Sequence, residues 1–327
     1  MSKLKNSIIV GILGRYADRF HEFQPARTFL ENLEVARNIP GIEGLEVVYP
    51  QDFVNREESI QAIKDTGLPV SAVNLNIKSE KKWKKGSFTN PDPKLRAEAV
   101  QYLKDAMDLA AELGTDMVTT CPLMDGHDYN FHVDFSKQWK WLRETITEGA
   151  SYRTDIKVSL EYKAFESKSN IILADMGRTL HLCNQTGLDN VGVTMDVGHA
   201  LIAQENPAEM ACIAADANRL FYVHFNDNNR GWDWDMIPGA VNIWDLVETL
   251  FYLDKINWSG WLTYDVFTKD GDPAEAFEVT FNIMEAAQYL LEKLGKEEIQ
   301  ELIDEGVPAK TYDFLFKQLV GKQQPVS

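Results

Sequence analysis

The feature that most constrains this chain is a repeated alternation. Short β-rich runs recur at Ile8 to Leu13, Leu45 to Tyr49, Val70 to Leu75, Met117 to Thr120, Val158 to Glu161, Val191 to Met195, Phe221 to Phe225 and Trp261 to Tyr264, each followed by a longer segment with helical spacing. Continuous apolar strands separated by amphipathic helices are what a parallel sheet buried on both faces requires. Eight such units favour closure into a (β/α)8 barrel over an open sheet.

Local signals support the helices. Pro91-Asp92-Pro93 opens a striped stretch that runs to Leu113 and stops at Gly114. Lys137 to Gly149 and the segment from Asn206-Pro207 towards Ala217 are bounded in the same way. The chain after Asp272 reads as helical to about Glu305. With no linker or low-complexity segment in view, residues 1–327 are expected to form one unit. Its barrel covers about 7–290 and a C-terminal helical extension about 291–320, with Gly321 to Ser327 frayed. A length of 327 residues suits one large α/β barrel, and 44% hydrophobic with 25% charged residues is ordinary for a globular core.

Charge excludes some partners. A formal net charge of −17 repels a phosphate backbone, and the one dense basic run, Lys78 to Lys85, reads as a solvated loop despite Trp83, so no nucleic-acid partner is expected. Cys121, Cys183 and Cys212 form no CxxC pattern, which fits a reducing cytoplasm rather than a disulfide framework. The apolar run in MSKLKNSIIVGILG spans about eight residues, too short for a signal core or a membrane span.

In a parallel barrel the strand C-termini share one mouth, so polar residues placed there converge. Glu161 ends the fifth strand in SLEYK, Asp196 the sixth in TMDVGH, and Asp265 the eighth in TYDVF, while His224 lies in the seventh in VHFND. Any one of these has an ordinary alternative as a helix cap or a satisfied core histidine. Four on consecutive strands point to a cation, because burying three carboxylates with an imidazole costs several kcal/mol otherwise. Oxygen-rich ligands with one imidazole suit Mn²⁺ first, with Mg²⁺ or Co²⁺ as alternatives. His199, Asp233 and Asp235 lie nearby and would hold a second, mobile ion if Asp196 bridges; the two aspartates could equally solvate a loop. Lys163, two residues past Glu161, would aim its ammonium at a bound carbonyl oxygen, or else pair with Glu161.

At these residues the sequence resembles the xylose-isomerase-like TIM-barrel superfamily, and within it the L-rhamnose isomerase type of ketose–aldose isomerase. The motifs are ExK at Glu161 and Lys163, DxxH at Asp196 and His199, then His224, DxD at Asp233 and Asp235, and Asp265. GSFTNPDPKLR (Gly86 to Arg96) and MDGHDY (Met124 to Tyr129) are softer matches. The resemblance implies one structural metal on Glu161, Asp196, His224 and Asp265, and a mobile metal on His199, Asp233 and Asp235. It also implies a carbonyl polarised by Lys163. No residue aligns with the one that opens the sugar ring; His21 after strand one and His127 after strand four are the candidates, each with an ordinary loop histidine as the alternative. The implied reaction interconverts an unphosphorylated aldose and ketose, by hydride shift or through an enediol. A homo-oligomer and no membrane association are expected.

Rival readings within the same superfamily are a keto-sugar 3-epimerase and a lyase resembling the catalytic subunit of C-glycoside deglycosidases. The lyase would act on an oxidised glycoside beside a small β-rich partner subunit, with a base such as His127 and Trp83, Trp139, Trp141, Trp232 or Trp234 against a flat aglycone. Endonuclease IV chemistry and a non-catalytic sugar-binding barrel rank lower. A phosphorylated substrate is disfavoured because Arg230 is the sole obvious anion partner, and it could instead pair with Asp227 or Asp233.

Overall fold

The computed structural model describes residues 4–320. Eight parallel strands close into a barrel: β1 (Lys5–Ile9), β2 (Gly44–Tyr49), β3 (Val70–Leu75), β4 (Met117–Thr120), β5 (Lys157–Glu161), β6 (Val191–Asp196), β7 (Leu220–Phe225) and β8 (Trp261–Tyr264). Each pairs with its sequence neighbours, and β1 closes the ring by pairing with both β8 and β2. The outer layer holds α1 (Phe29–Ala36), α2 (Arg56–Thr66), α3 (Pro93–Leu113), α4 (Phe135–Ala150), α5 (Met176–Thr186), α6 (Val197–Ile202), α7 (Pro207–Asp216), α8 (Ile243–Lys255) and α9 (Pro273–Leu294). A helical extension follows as α10 (Lys296–Glu305) and α11 (Pro308–Val320). The residues expected to fray, Gly321 to Ser327, lie outside the described segment. Among the described residues no helix is long and apolar enough to cross a membrane.

Cap chemistry sets the helix ends. Asp92 accepts the Lys94 N–H ahead of Pro93, and Gly114 ends α3 with a φ of 78°. Asn206 and Asp272 cap α7 and α9 likewise, each followed by proline. Gly295 breaks the long C-terminal helical stretch that sequence periodicity alone runs together.

The first strand departs from expectation. It comprises Lys5 to Ile9, while Val10–Leu13 turns into a short 3₁₀ segment closed by the Gly14 N–H on the Gly11 carbonyl. The apolar run was a misleading guide because β1 points polar groups inward: the Ser7 hydroxyl lies 2.6 Å from that of Ser71 on β3. This is general in the lower barrel. Tyr222 and Thr263 share a hydrogen bond of 2.5 Å, Tyr222 donates to Ser71, and Thr194 donates to Ser159. These hydroxyls are buried and mutually satisfied, and the aliphatic core sits between strands and helices.

Register decides which groups meet above that layer. Glu161 pairs with Thr194, and Asp196 pairs directly with His224. His224 in turn pairs with Thr263, two residues before Asp265. Because side chains alternate along a strand, these pairings turn Glu161, Asp196, His224 and Asp265 to the barrel axis at its C-terminal mouth.

Candidate metal centre and cavity

The structure brings the four strand-end residues together. Glu161, Asp196, His224 and Asp265 each present one ligand atom, and these atoms all lie within 4.8 Å of one another. The first three are buried and Asp265 is half-buried. Asp196 also caps α6 through the His199 N–H at 2.8 Å, so a capping role and a place in the cluster coexist.

Glu46, fully buried in β2, was not singled out from the sequence. Its Oε1 accepts hydrogen bonds from Asn74 at 2.8 Å and Thr119 at 2.7 Å, and its Oε2 takes the Nε2–H of His224 at 3.0 Å. That bond fixes the imidazole tautomer and turns Nδ1 towards the acids. His224 Nδ1 is buried without a hydrogen-bond partner, 3.5 Å from Glu161 Oε2 and 3.9 Å from Asp196 Oδ2. A lone pair facing carboxylates demands a positive charge between them, and either a proton or a metal ion meets that demand. The donor set and the unpartnered nitrogen therefore fit a divalent cation.

The electrostatics agree. Burial opposes charge on His224, but Glu46 and Glu161 outweigh it and hold the imidazole well above its ordinary range. Burial likewise opposes charge on Glu161, yet His224 and His199 hold its carboxyl well below the usual carboxylate range. Asp265 is pushed well above that range by burial and then by Asp196, and Asp235 by burial and then by Asp233 and Asp265. Asp196 is also raised, chiefly by burial. More carboxylate is gathered here than the imidazoles neutralise.

Asn226 is a second group that the sequence did not mark. Its buried amide donates to Asp265 at 2.8 Å and to Asp196 at 3.1 Å, and reaches Asp235 at 3.4 Å. Gly198 makes room for it, since a Cβ there would fall 1.9 Å from Asn226 Oδ1.

His199, Asp233 and Asp235 lie beside this cluster in a different arrangement. His199 Nε2 meets Asp233 Oδ2 at 3.0 Å, and its Nδ1 lies 3.0 Å from Glu161 Oε1, off the line of a hydrogen bond. Lys163 pairs with Asp233 and Glu166, both at 2.7 Å, and not with Glu161. Burial would lower the Lys163 pKa, but Asp233 and Glu166 raise it; Asp233 is correspondingly held low by His199 and Lys163 against its own burial. Asp235 is held in a left-handed backbone conformation, φ 46°, with its carbonyl bonded to the Phe267 N–H.

Glu161, Lys163, Glu166, His199, His224, Asp233, Asp235 and Asp265 line one cavity of about 920 Å³ at the mouth, within the size range of small-molecule sites. His127 does not. It pairs with Asn170 in a short antiparallel ribbon and sets its ring 4.9 Å from that of Phe135. His21 is exposed in another ribbon, near Phe23. Arg230 pairs with Asp245 rather than with Asp227 or Asp233. Trp83 is fully buried, Trp139 stacks on His181, and Trp141 packs under Arg96, so none of the three lines the cavity. Trp232 and Trp234 flank Asp233 in sequence and are exposed, and neither lines the cavity.

The two softer motifs meet each other. Asp125 is buried and accepts from the backbone of Ser87, Phe88 and Thr89 and from the hydroxyls of Ser87 and Thr89. It ties the loop before α3 to the loop after β4, whose Leu123 and Met124 line the cavity.

Comparison with known proteins gives a consistent picture. The family model described as xylose isomerase-like TIM barrel matches residues 33–291. A xylose isomerase of Thermus thermophilus is 30% identical over 207 residues, 62% of this chain and 53% of its own length. One from Thermus caldophilus is 30% identical over 189 residues, 56% and 49% of the two chains. The chain thus spans about half the length of the curated relatives it matches. Among solved structures, an L-ribulose 3-epimerase is similar with a TM-score of 0.69 at 20% identity, covering 90% of this chain and 98% of that one. A 3-keto-D-glucoside 4-epimerase from E. coli gives 0.67 at 19% identity, covering 87% and 100%. At those identities the structural likeness speaks to the fold alone.

Proposed function

The chain belongs to the xylose isomerase-like TIM-barrel family, and from that premise we propose that it is a divalent-metal-dependent isomerase interconverting an unphosphorylated aldose and its ketose. The observation that carries the reading is the buried cluster of Glu161, Asp196, His224 and Asp265 with His224 Nδ1 unpartnered at its centre. Those four residues would hold the ion, with Mn²⁺ the first to test. When bound, it supplies Lewis-acid polarisation of neighbouring sugar oxygens.

The chain's own groups do the rest. Glu46 orients the metal-facing imidazole, and Asn226 holds Asp196 and Asp265 in register. Lys163 contributes positive potential at the cavity wall beside the carbonyl position, and His199, bonded to Asp233, is placed to pass a proton during interconversion. Asp235, whose carboxyl is pushed well above its ordinary range by burial and then by Asp233 and Asp265, offers a second exchangeable site. A mobile ion on His199, Asp233 and Asp235 would have to displace Lys163 from Asp233. Either a hydride shift or an enediol route is compatible with these groups, and a homo-oligomer in the cytoplasm completes the proposal.

The test is a panel of free aldoses and ketoses with chelated and Mn²⁺-reloaded protein, alongside 3-oxo-glycosides. Sugar interconversion that disappears on chelation and returns with Mn²⁺ is expected. Activity indifferent to chelation would sink the metal reading, and aglycone release without interconversion would replace isomerase by lyase.

A further inference from the structure

The wall of the cavity built after β1, β2 and β3 stands across the barrel from Glu161 and His199, and its polar groups have no part in the chemistry above. Asn32 on α1 lines it and is only 4% exposed, yet its carbonyl oxygen has no hydrogen-bond partner. Its NH₂ makes no hydrogen bond to any described residue either, and Gly14 packs against it, a Cβ there coming within 3.2 Å. A buried amide oxygen without a partner, at a position that a leucine of similar size could fill, is a cost with no structural return, and such groups in native proteins call for a ligand or water.

Asp52, after β2, lines the same wall. Its Oδ2 accepts the Val48 N–H at 2.7 Å, no described cation pairs with it, and burial pushes its carboxyl up to about 7. Several donors nearby are committed. Gln51 donates to the Asn76 carbonyl, Asn74 to Glu46, Arg15 to Glu22, and Arg27 to the Leu13 carbonyl. What remains unspent on this wall is the Asn32 amide, the second Asp52 carboxyl oxygen and the Lys78 ammonium, none of which bonds a described side chain.

We propose that Asn32 and Asp52 form a hydroxyl-binding subsite that exchanges hydrogen bonds with the end of a polyol substrate remote from its reacting carbonyl, and so select its length and terminal group. The subsite rests on the sugar reading above, because it needs a hydroxyl-rich chain reaching across the cavity.

The experiment uses Mn²⁺-loaded full chain, wild type and the variants Asn32→Leu, Asn32→Asp and Asp52→Asn. Two readouts are taken: kcat/KM for each accepted sugar against its terminal deoxy counterpart, and calorimetric binding of xylitol and sorbitol. Wild type is expected to favour the hydroxylated sugar by about tenfold or more. Asn32→Leu should lose that preference and the polyol binding while its melting temperature holds or rises, and Asn32→Asp, which keeps the acceptor, should retain both. A lower melting temperature in Asn32→Leu with preference and polyol binding unchanged overturns the subsite, as does a wild type that binds neither polyol. If wild type binds polyols through Asn32 but turns over no sugar, the isomerase reading fails and the subsite stands.

Discussion

The two walls of the cavity hold their polar groups on opposite terms. On the β5 to β8 wall, acids are crowded together and met by imidazole, amide and ammonium at 2.7 to 3.1 Å. On the β1 to β3 wall an amide and a carboxyl are buried with little or nothing to bond. The first arrangement is excess charge organised for a cation, and the second is unspent hydrogen-bonding capacity. A preorganised charge cluster tolerates few changes, whereas an unspent acceptor can be removed with a gain in stability.

Four substitutions press on that contrast. The largest effect is expected from His224→Ala, which removes the only nitrogen in the cluster. Metal affinity measured by calorimetry should fall by more than the roughly 100-fold typical of losing an outer partner, and turnover should vanish. Affinity within a few-fold of wild type would break the contrast. Lys163→Met comes next, since it leaves Asp233 buried beside Glu166 without its ammonium. Chemical denaturation should register a loss of about 3–5 kcal/mol, and recovery of that loss by excess Mn²⁺ would reveal the second ion.

Glu46→Gln should weaken metal binding by about 10–100-fold while leaving the fold intact, because it loosens the tautomer of His224 rather than removing a ligand. The smallest effect belongs to the neutral wall. The Asp52 carboxyl sits near 7 in the fold against 3.8 when solvated, so its stability contribution is complete below about pH 4 and is lost as pH rises through 7. Asp52→Asn should therefore raise the melting temperature by a few degrees at pH 8 and by nothing near pH 4; a gain that does not depend on pH would contradict the assigned burial.

The same contrast explains what could be read from the sequence. Strand ends are legible because apolar runs terminate in charge and period-two alternation turns that charge inward, which is how Glu161, Asp196, His224 and Asp265 were found. Glu46 left a signal of the same kind, a lone acid inside the apolar strand GLEVVY, but at the middle of a strand and not its end. Asn226 is neutral and hides between His224 and Asp227. The pairing of Lys163 with Asp233 depends on the folding of two loops, which no spacing encodes. Asn32 sits mid-helix, and only its missing partners mark it. The β1 boundary was misplaced because Lys5, Asn6 and the inward Ser7 made the true strand look less strand-like than the apolar turn that follows it.

The Asp125 tie between the loop before α3 and the loop after β4 has a practical consequence for engineering. With five donors converging on one buried carboxyl, the two loops form a single cassette: replacing the loop before α3 alone would leave Asp125 buried without its donors, and replacing the loop after β4 alone would leave those donors unpaired. Loop exchange aimed at altering substrate choice has to move both together.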